Sequence, residues 1–262
     1  MPTVDTPPLR QCVLAVSVLR DLDLTPSEAG VRLPGPHSTI VEWTAIRDAV
    51  GRHEPTGPIA RRRVENLLRL QQLAADLGPS AAERFRSAAR LVALPPGHAE
   101  HPGSSWVRDA LRGNALDLGI GVLGLIGEVD RTIPLPPSVL AMVQTDGANW
   151  WPGLREHAER MGSLSATRLA RDGHTGLIRP VGGCDVLALL SSRALRRHLA
   201  DGDGTGLRAL AVPTRRRGWF DISRVDPAFI RAAWSLTDDH ERGAPVPLLV
   251  TVDEVALPFS LA

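Results

Sequence analysis

An α/β or α+β fold, with a mixed sheet, flanking helices and at least one antiparallel hairpin near the C-terminus, is predicted by three observations. One long segment keeps apolar residues at helical spacing. Several short apolar runs are bounded by proline and glycine. The two kinds of segment alternate along the chain. The 262 residues are read as one domain, 1–262, with a subdivision into 1–95 and 103–262 as the alternative.

The N-terminal QCVLAVSVLRDLDL fits a short helix or a buried strand, because an apolar run of this length carries no decisive period. VRLPG and STIVEW flank a Pro-Gly-Pro break and read as a strand pair, with Thr39, Ile40 and Val41 in the second arm. Pro58 to Leu77 is the clearest helix: Val64, Leu67, Leu68, Leu70, Leu73, Ala74 and Leu77 share helical spacing. Gly57-Pro58 marks its entry and Gly78-Pro79 its exit. AARLVALP then reads as a strand, PPGHAEHPG as a loop, and SSWVRDALRG as a short helix capped by Ser104 or Ser105.

Beyond the proline-studded TIPLPP, SVLAMVQT reads as a strand. WPGLREHAERMGSLSATRLARDG reads as a helix broken near Gly162, GLIRP as a strand, and CDVLALLSSRALRRHLADG as a helix ending at Gly202. LRALAVP and GWFDIS flank TRRR like hairpin arms. DPAFIRAAWSLTD is a helix with Asp226 at its N-cap, and PVPLLVTVDEVALP a final strand.

The run ALDLGIGVLGLIG raises a sharper question, since Gly119, Gly121 and Gly124 spell G-x-G-x-x-G. A dinucleotide site needs a helix directly after those glycines, to aim its N-terminal amides at a pyrophosphate. Only LIGEVDR separates Gly124 from the prolines of TIPLPP, which stop any helix. The expectation is a glycine-rich strand approached closely by its neighbours.

A net charge of +1 gives no global attraction to nucleic acid or anionic membrane. The chain has neither lysine nor tyrosine, so its positive charge is all arginine. Both missing residues have AT-rich codons, so a high-GC bacterial genome is expected, and arginine pairs carry less weight here than elsewhere. Cys12 and Cys184 make no disulfide framework and no cysteine-rich zinc signature. No uncharged run reaches the roughly 18–20 residues of a membrane span. CVLAVSVL lacks the flanks of a signal peptide, and a cytoplasmic protein is expected.

Cys184 follows two glycines at a strand-to-helix corner, where free amides and the helix dipole would favour a thiolate. His98 and His101 flank Glu100 in a loop, but a catalytic zinc takes three protein ligands and no third is spaced for it. Neither a metal nor a cofactor is expected. Trp150 and Trp151 precede a helix, where one acts as a staple and the other is free to stack on a flat ligand. Arg215, Arg216 and Arg217 lie at the hairpin tip with Trp219 and Phe220 just after, a pattern suited to gripping an anion. Arg61 to Arg63 occupy a first helical turn, where the dipole disfavours them. An anionic partner or bridges to Glu54 or Glu65 would account for them. Arg193, Arg196 and Arg197 lie near a helix C-terminus, where basic residues are favourable.

These readings combine into a protein that binds a small anionic ligand or a protein partner through Arg215, Arg216, Arg217 and Trp219, with Trp150 and Trp151. One alternative is an acyl-transfer or hydrolytic enzyme on Cys184 with a histidine base. Another is a nucleic-acid-binding regulator using both arginine triplets, against which stands the lack of a helix-turn-helix or zinc-finger pattern.

Overall fold

The computed structural model describes residues 7–103, 109–143, 150–172, 176–202, 204–221 and 223–258. Helices and antiparallel sheets mix in it. The chain gathers into two units, one of Met1–Ala89, Pro102–Trp106 and Val122–Ala148, the other of Arg90–His101, Val107–Gly121 and Asn149–Ala262.

In the first unit, α1 (Pro7–Arg20) and α2 (Trp43–Val50) pack on α3 (Pro58–Leu77). The ambiguous N-terminal run is therefore helical. It buries Leu9, Cys12, Val13 and Val16 along one stripe. α3 forms where its spacing predicts, and it opens on Pro58, whose missing N–H costs nothing in a first turn. Gly78 ends it at φ +53, a conformation that glycine alone adopts without strain. Val64, Leu67, Leu68 and Leu70 of α3 are fully buried. A small antiparallel sheet, β1 (Thr25–Pro26), β2 (Gly30–Leu33) and β3 (Thr39–Glu42), contains the predicted strand pair. α4 (Ala81–Ala88) follows α3 after one 3-10 turn.

The second unit holds most of the strands. β4 (Ala89–Leu94), β6 (Asp117–Leu123) and β5 (Asp109–Ala110) follow that spatial order. SSWVRDALRG was expected to be helical. Residues 104–108 lie outside the described residues, and Asp109 and Ala110 pair as a strand with Asp117 and Leu118. β7 (Thr132–Pro134) and the helix after it belong to the first unit and bring another correction. SVLAMV is α5 (Pro137–Val143), with Val139 and Val143 buried one turn apart and the Pro136 carbonyl accepting the first amides. A proline-led start and tertiary packing override the β-branched composition.

In the second unit, α6 (Trp151–Asp172) runs unbroken through Gly162, against the predicted break. The glycine serves packing, because a Cβ there would overlap the side chain of Ser192. The helix predicted from Cys184 onward is two, α7 (Val186–Leu189) and α8 (Arg193–Asp201), separated at Ser192, whose Oγ caps α8. The C-terminal sheet has the order β12-β11-β9-β10-β8, with β8 (Leu177–Ile178), β9 (Arg208–Thr214), β10 (Arg217–Trp219), β11 (Leu248–Val250) and β12 (Val255–Ala256). The expected last strand is thus a hairpin, β11 with β12. α9 (Pro227–Leu236) begins at Asp226, whose carboxylate accepts from the amides of Ala228 and Phe229. No helix among the described residues is long and apolar enough to cross a membrane.

Candidate functional site

The arginine hairpin exists where the sequence puts it. β9 and β10 pair antiparallel and Arg215 and Arg216 form the turn. The first arginine, however, turns inward. Arg215 is 6% exposed, with its Nε 2.7 Å and Nη2 2.6 Å from one oxygen of Asp185. Its Nη1 stands 3.5 Å from the Glu100 carboxylate and 3.3 Å from the His240 carbonyl. Burial pulls the guanidinium pKa down, but Asp185 and Glu100 outweigh it and the net direction is up. The other oxygen of Asp185 caps α7 by accepting from the Ala188 amide. One buried cation therefore ties the hairpin turn to the α7 N-terminus and to the loop carrying Glu100.

This corrects the expected ligand-binding set. Arg215 is neutralised by the protein's own acids, and Trp219 is buried between Ala211 and Ile230. Trp150 and Trp151 are 6% and 8% exposed, so neither ring is free to stack on a ligand. Arg216 is half exposed and held by Glu241 at 2.7 Å. Arg217 is exposed too, and no carboxylate pairs with it among the described residues.

Cys184 is corrected as well. Its backbone bridges to Val181 in both directions, its side chain has no exposure, and Asp185 occupies the cap position beside it. Burial, then the neighbouring Asp185 carboxylate, push the thiol up to about 12. A thiolate nucleophile needs the opposite environment. Cys12 is pushed up to about 11 by burial, against the pull of Arg61. Because the folded values lie above the free-thiol value of 9, the stability linked to both thiols is whole below that pH. It is lost as pH rises through 11 and 12. With no lysine or tyrosine in the chain, no other side chain type has its ordinary pKa in that window. We expect neither cysteine of the native protein to react with iodoacetamide at neutral pH. We also expect the urea midpoint to fall from pH 9 upward, and this alkaline slope to flatten in the C12A/C184A double variant. Rapid labelling of Cys184, or an unchanged slope, would contradict this account.

The histidines make structural bonds. The His98 Nδ1 accepts from the Glu100 amide at 3.0 Å, so its Nε2 donates to the Arg242 carbonyl at 2.8 Å. The His101 Nε2 meets Asp117 at 3.0 Å. No group of three or more His, Cys, Asp and Glu among the described residues is placed to hold a metal. Gly119 and Gly121 are buried inside β6, and Gly124, at φ +64, turns the chain where a Cβ would meet the Val129 carbonyl at 2.9 Å. The next element is β7, so the run is a packed strand and turn with no phosphate-facing helix. Arg196 caps carbonyls: its Nη1 donates to Leu190 and Ser191 and its Nε to Val252. Glu65, a suggested partner for Arg61 to Arg63, is engaged by Arg20 at 2.9 Å and by Arg69 at 3.5 Å.

A surface that the sequence reading missed lies on α9. Ile230 is its one buried residue, although the helix is among the most apolar in the chain. Helical geometry sets Arg231, Ser235, Ala228, Ala232, Leu236 and Phe229 around the outer side, between the edges marked by Arg231 and Phe229. Leu236 is 88% exposed and Phe229 38%. Phe229 meets the Trp219 ring edge-on at 6.1 Å, and the Arg224 guanidinium lies 5.7 Å from the same indole. Arg224 and Arg231 are exposed, and no carboxylate pairs with either among the described residues. Asp221 and Asp226 nearby accept from backbone amides. Counting the apolar positions of DPAFIRAAWSLTD against a single inward stripe would have revealed the surplus. No protein-family model matches the chain, and no match is found among curated proteins or solved structures.

Proposed function

We propose that this is a binding protein whose second unit holds a partner protein along the outer side of α9. The observation that carries the reading is a largely apolar helix with one buried residue, edged by arginines that pair with no carboxylate among the described residues. The occupant that fits is an acidic, apolar segment: leucine or phenylalanine side chains against Phe229, Ala232 and Leu236, and carboxylates against Arg224 and Arg231. Arginines next to aromatic surface favour such a segment, because guanidinium groups take carboxylates in paired hydrogen bonds while their stems pack. An arginine-and-aromatic binding surface is thereby kept, moved from the hairpin tip to the neighbouring helix. The thiol-enzyme reading draws no support from a sealed Cys184.

A displayed library of random peptides tests this. Selection on the whole chain, with counter-selection on the L236D variant, should enrich peptides combining Asp or Glu with Leu or Phe. Their affinity should fall about tenfold or more, roughly 1.4 kcal/mol, in L236D and in the R224E/R231E double variant. Leu236 touches little, so the melting temperature of L236D should match that of the parent. A selection that enriches nothing, or peptides indifferent to both variants, would defeat the proposal.

A further inference from the structure

The third arginine of the hairpin meets another across the edge of the sheet. β8 and β10 pair antiparallel, with Gly218 opposite Ile178 and Trp219 opposite Leu177. One more step in the same register sets Arg217 opposite Arg179. Pro180 follows Arg179 and keeps it extended, so side chains go on alternating between the two faces there. Gly218 lies against Val186 of α7, so its neighbour Arg217 projects from the other face, the one that carries Trp219. Leu177 packs on that face too, against Ala211, Trp219 and Ile230, and Arg179 is two residues further along. Both arginines are exposed, and neither side chain has an ion pair or a hydrogen bond among the described residues.

Like charges directly opposite on an antiparallel ladder, with Cβ atoms about 5 Å apart, destabilise it. Elsewhere in this hairpin the chain supplies its own acids: Arg215 takes Asp185 and Glu100, and Arg216 takes Glu241 at 2.7 Å. Asp221 follows Arg217 by four residues, roughly 13 Å along an extended chain, and its carboxylate accepts from the Ser223 amide. Arg224, beside the Trp219 indole, adds a further positive charge to this face. We propose that Arg179 and Arg217 together bind the dianion of a phosphate monoester. One such group neutralises both cations, whereas a carboxylate or a phosphodiester neutralises one. Guanidinium forks also match tetrahedral oxyanions through paired N–H donors. The site is open to solvent, so binding is weak and falls with added salt. No residue of α9 takes part, and this inference is independent of the α9 reading.

Nitrogen-15 NMR titration of the whole chain tests it, with phenyl phosphate as the dianion and phenyl sulfate as a monoanion of the same shape. Phenyl phosphate should move the Arg179 and Arg217 resonances with a dissociation constant of about one millimolar at low salt. Phenyl sulfate should bind about tenfold more weakly, and phenyl phosphate should weaken as pH falls below about 6, where the ester loses its second charge. R179Q and R217Q should each cut the affinity about tenfold while melting no lower than the parent, because each relieves a like-charge pair. R47Q, which removes an exposed charge from α2, should leave the titration unchanged. A phosphoserine peptide that binds more tightly than phenyl phosphate assigns the phosphate to a modified partner protein, and equal binding assigns it to a small ester; both results uphold the site. Phenyl sulfate binding as tightly as phenyl phosphate would overturn the proposal. So would phosphate binding that survives R179Q and R217Q, or no response up to about 10 mM.

Discussion

Replacing Arg215 with methionine costs the second unit about 3–5 kcal/mol, because the change strands two carboxylates in the interior. Asp185 loses two guanidinium hydrogen bonds of 2.7 and 2.6 Å, and Glu100, at 4% exposure, loses its cation 3.5 Å away. The cation is worth more through what it prevents than through its own attraction, since desolvation offsets much of the pairing energy. Following R215M with D185N and E100Q removes both buried charges, and the side-chain amide oxygen that D185N leaves in place still accepts from the Ala188 amide at the α7 cap. The triple variant should therefore recover much of the loss. Urea unfolding monitored by circular dichroism separates the outcomes. A cost below about 1 kcal/mol for R215M would show that the buried network does not hold the hairpin turn in place.

Gly162→Ala should cost about 3 kcal/mol, combining overpacking with damage to a helix cap. The new Cβ would fall well inside van der Waals contact of both the Cβ and the Oγ of Ser192. Ser192 is buried and its Oγ accepts from the Leu195 amide at the start of α8. Three residues before the glycine, Glu159 accepts from the amides of Arg193 and Ala194, so one face of α6 fixes the whole α8 N-terminus. Pushing Ser192 away disturbs all of these bonds together. S192G makes room and costs only a few tenths of a kcal/mol as a cap. The G162A/S192G pair should thus be markedly more stable than G162A alone in thermal melts. Equal melting of the two would locate the damage elsewhere.

Elements with local punctuation were legible in the sequence, and those fixed by distant partners were not. α3 carries its own start and stop in Gly57-Pro58 and Gly78, and α9 carries its cap in Asp226. SVLAMV was misread because its side chains suit a strand, while the prolines before it and the packing around Val139 and Val143 make it helical. Gly162 looked like a break, yet a neighbouring helix needed the missing methyl. At the candidate site the hairpin was readable but the direction of each arginine was not. Arg215 turns inward because Glu100 and Asp185, 115 and 30 residues away along the chain, wait there. Cys184 shows the same limit: the glycines before it were visible, and the burial that silences its thiol was not.

Pro213 stands in β9, which has β11 on one side and β10 on the other. A regular ladder continuing from the Thr214–Arg217 pair would place Trp219 opposite Val212, but it lies opposite Ala211, because the register shifts by one residue there. An imino acid lacks the hydrogen that an even ladder would use, so it fits at that irregular step and resists its repair. Pro213 thereby acts as a ratchet tooth: were the strand to slide back one notch, alternation would swing the indole to the face where Gly218 lies against Val186 and strip α9 of the ring beneath Phe229.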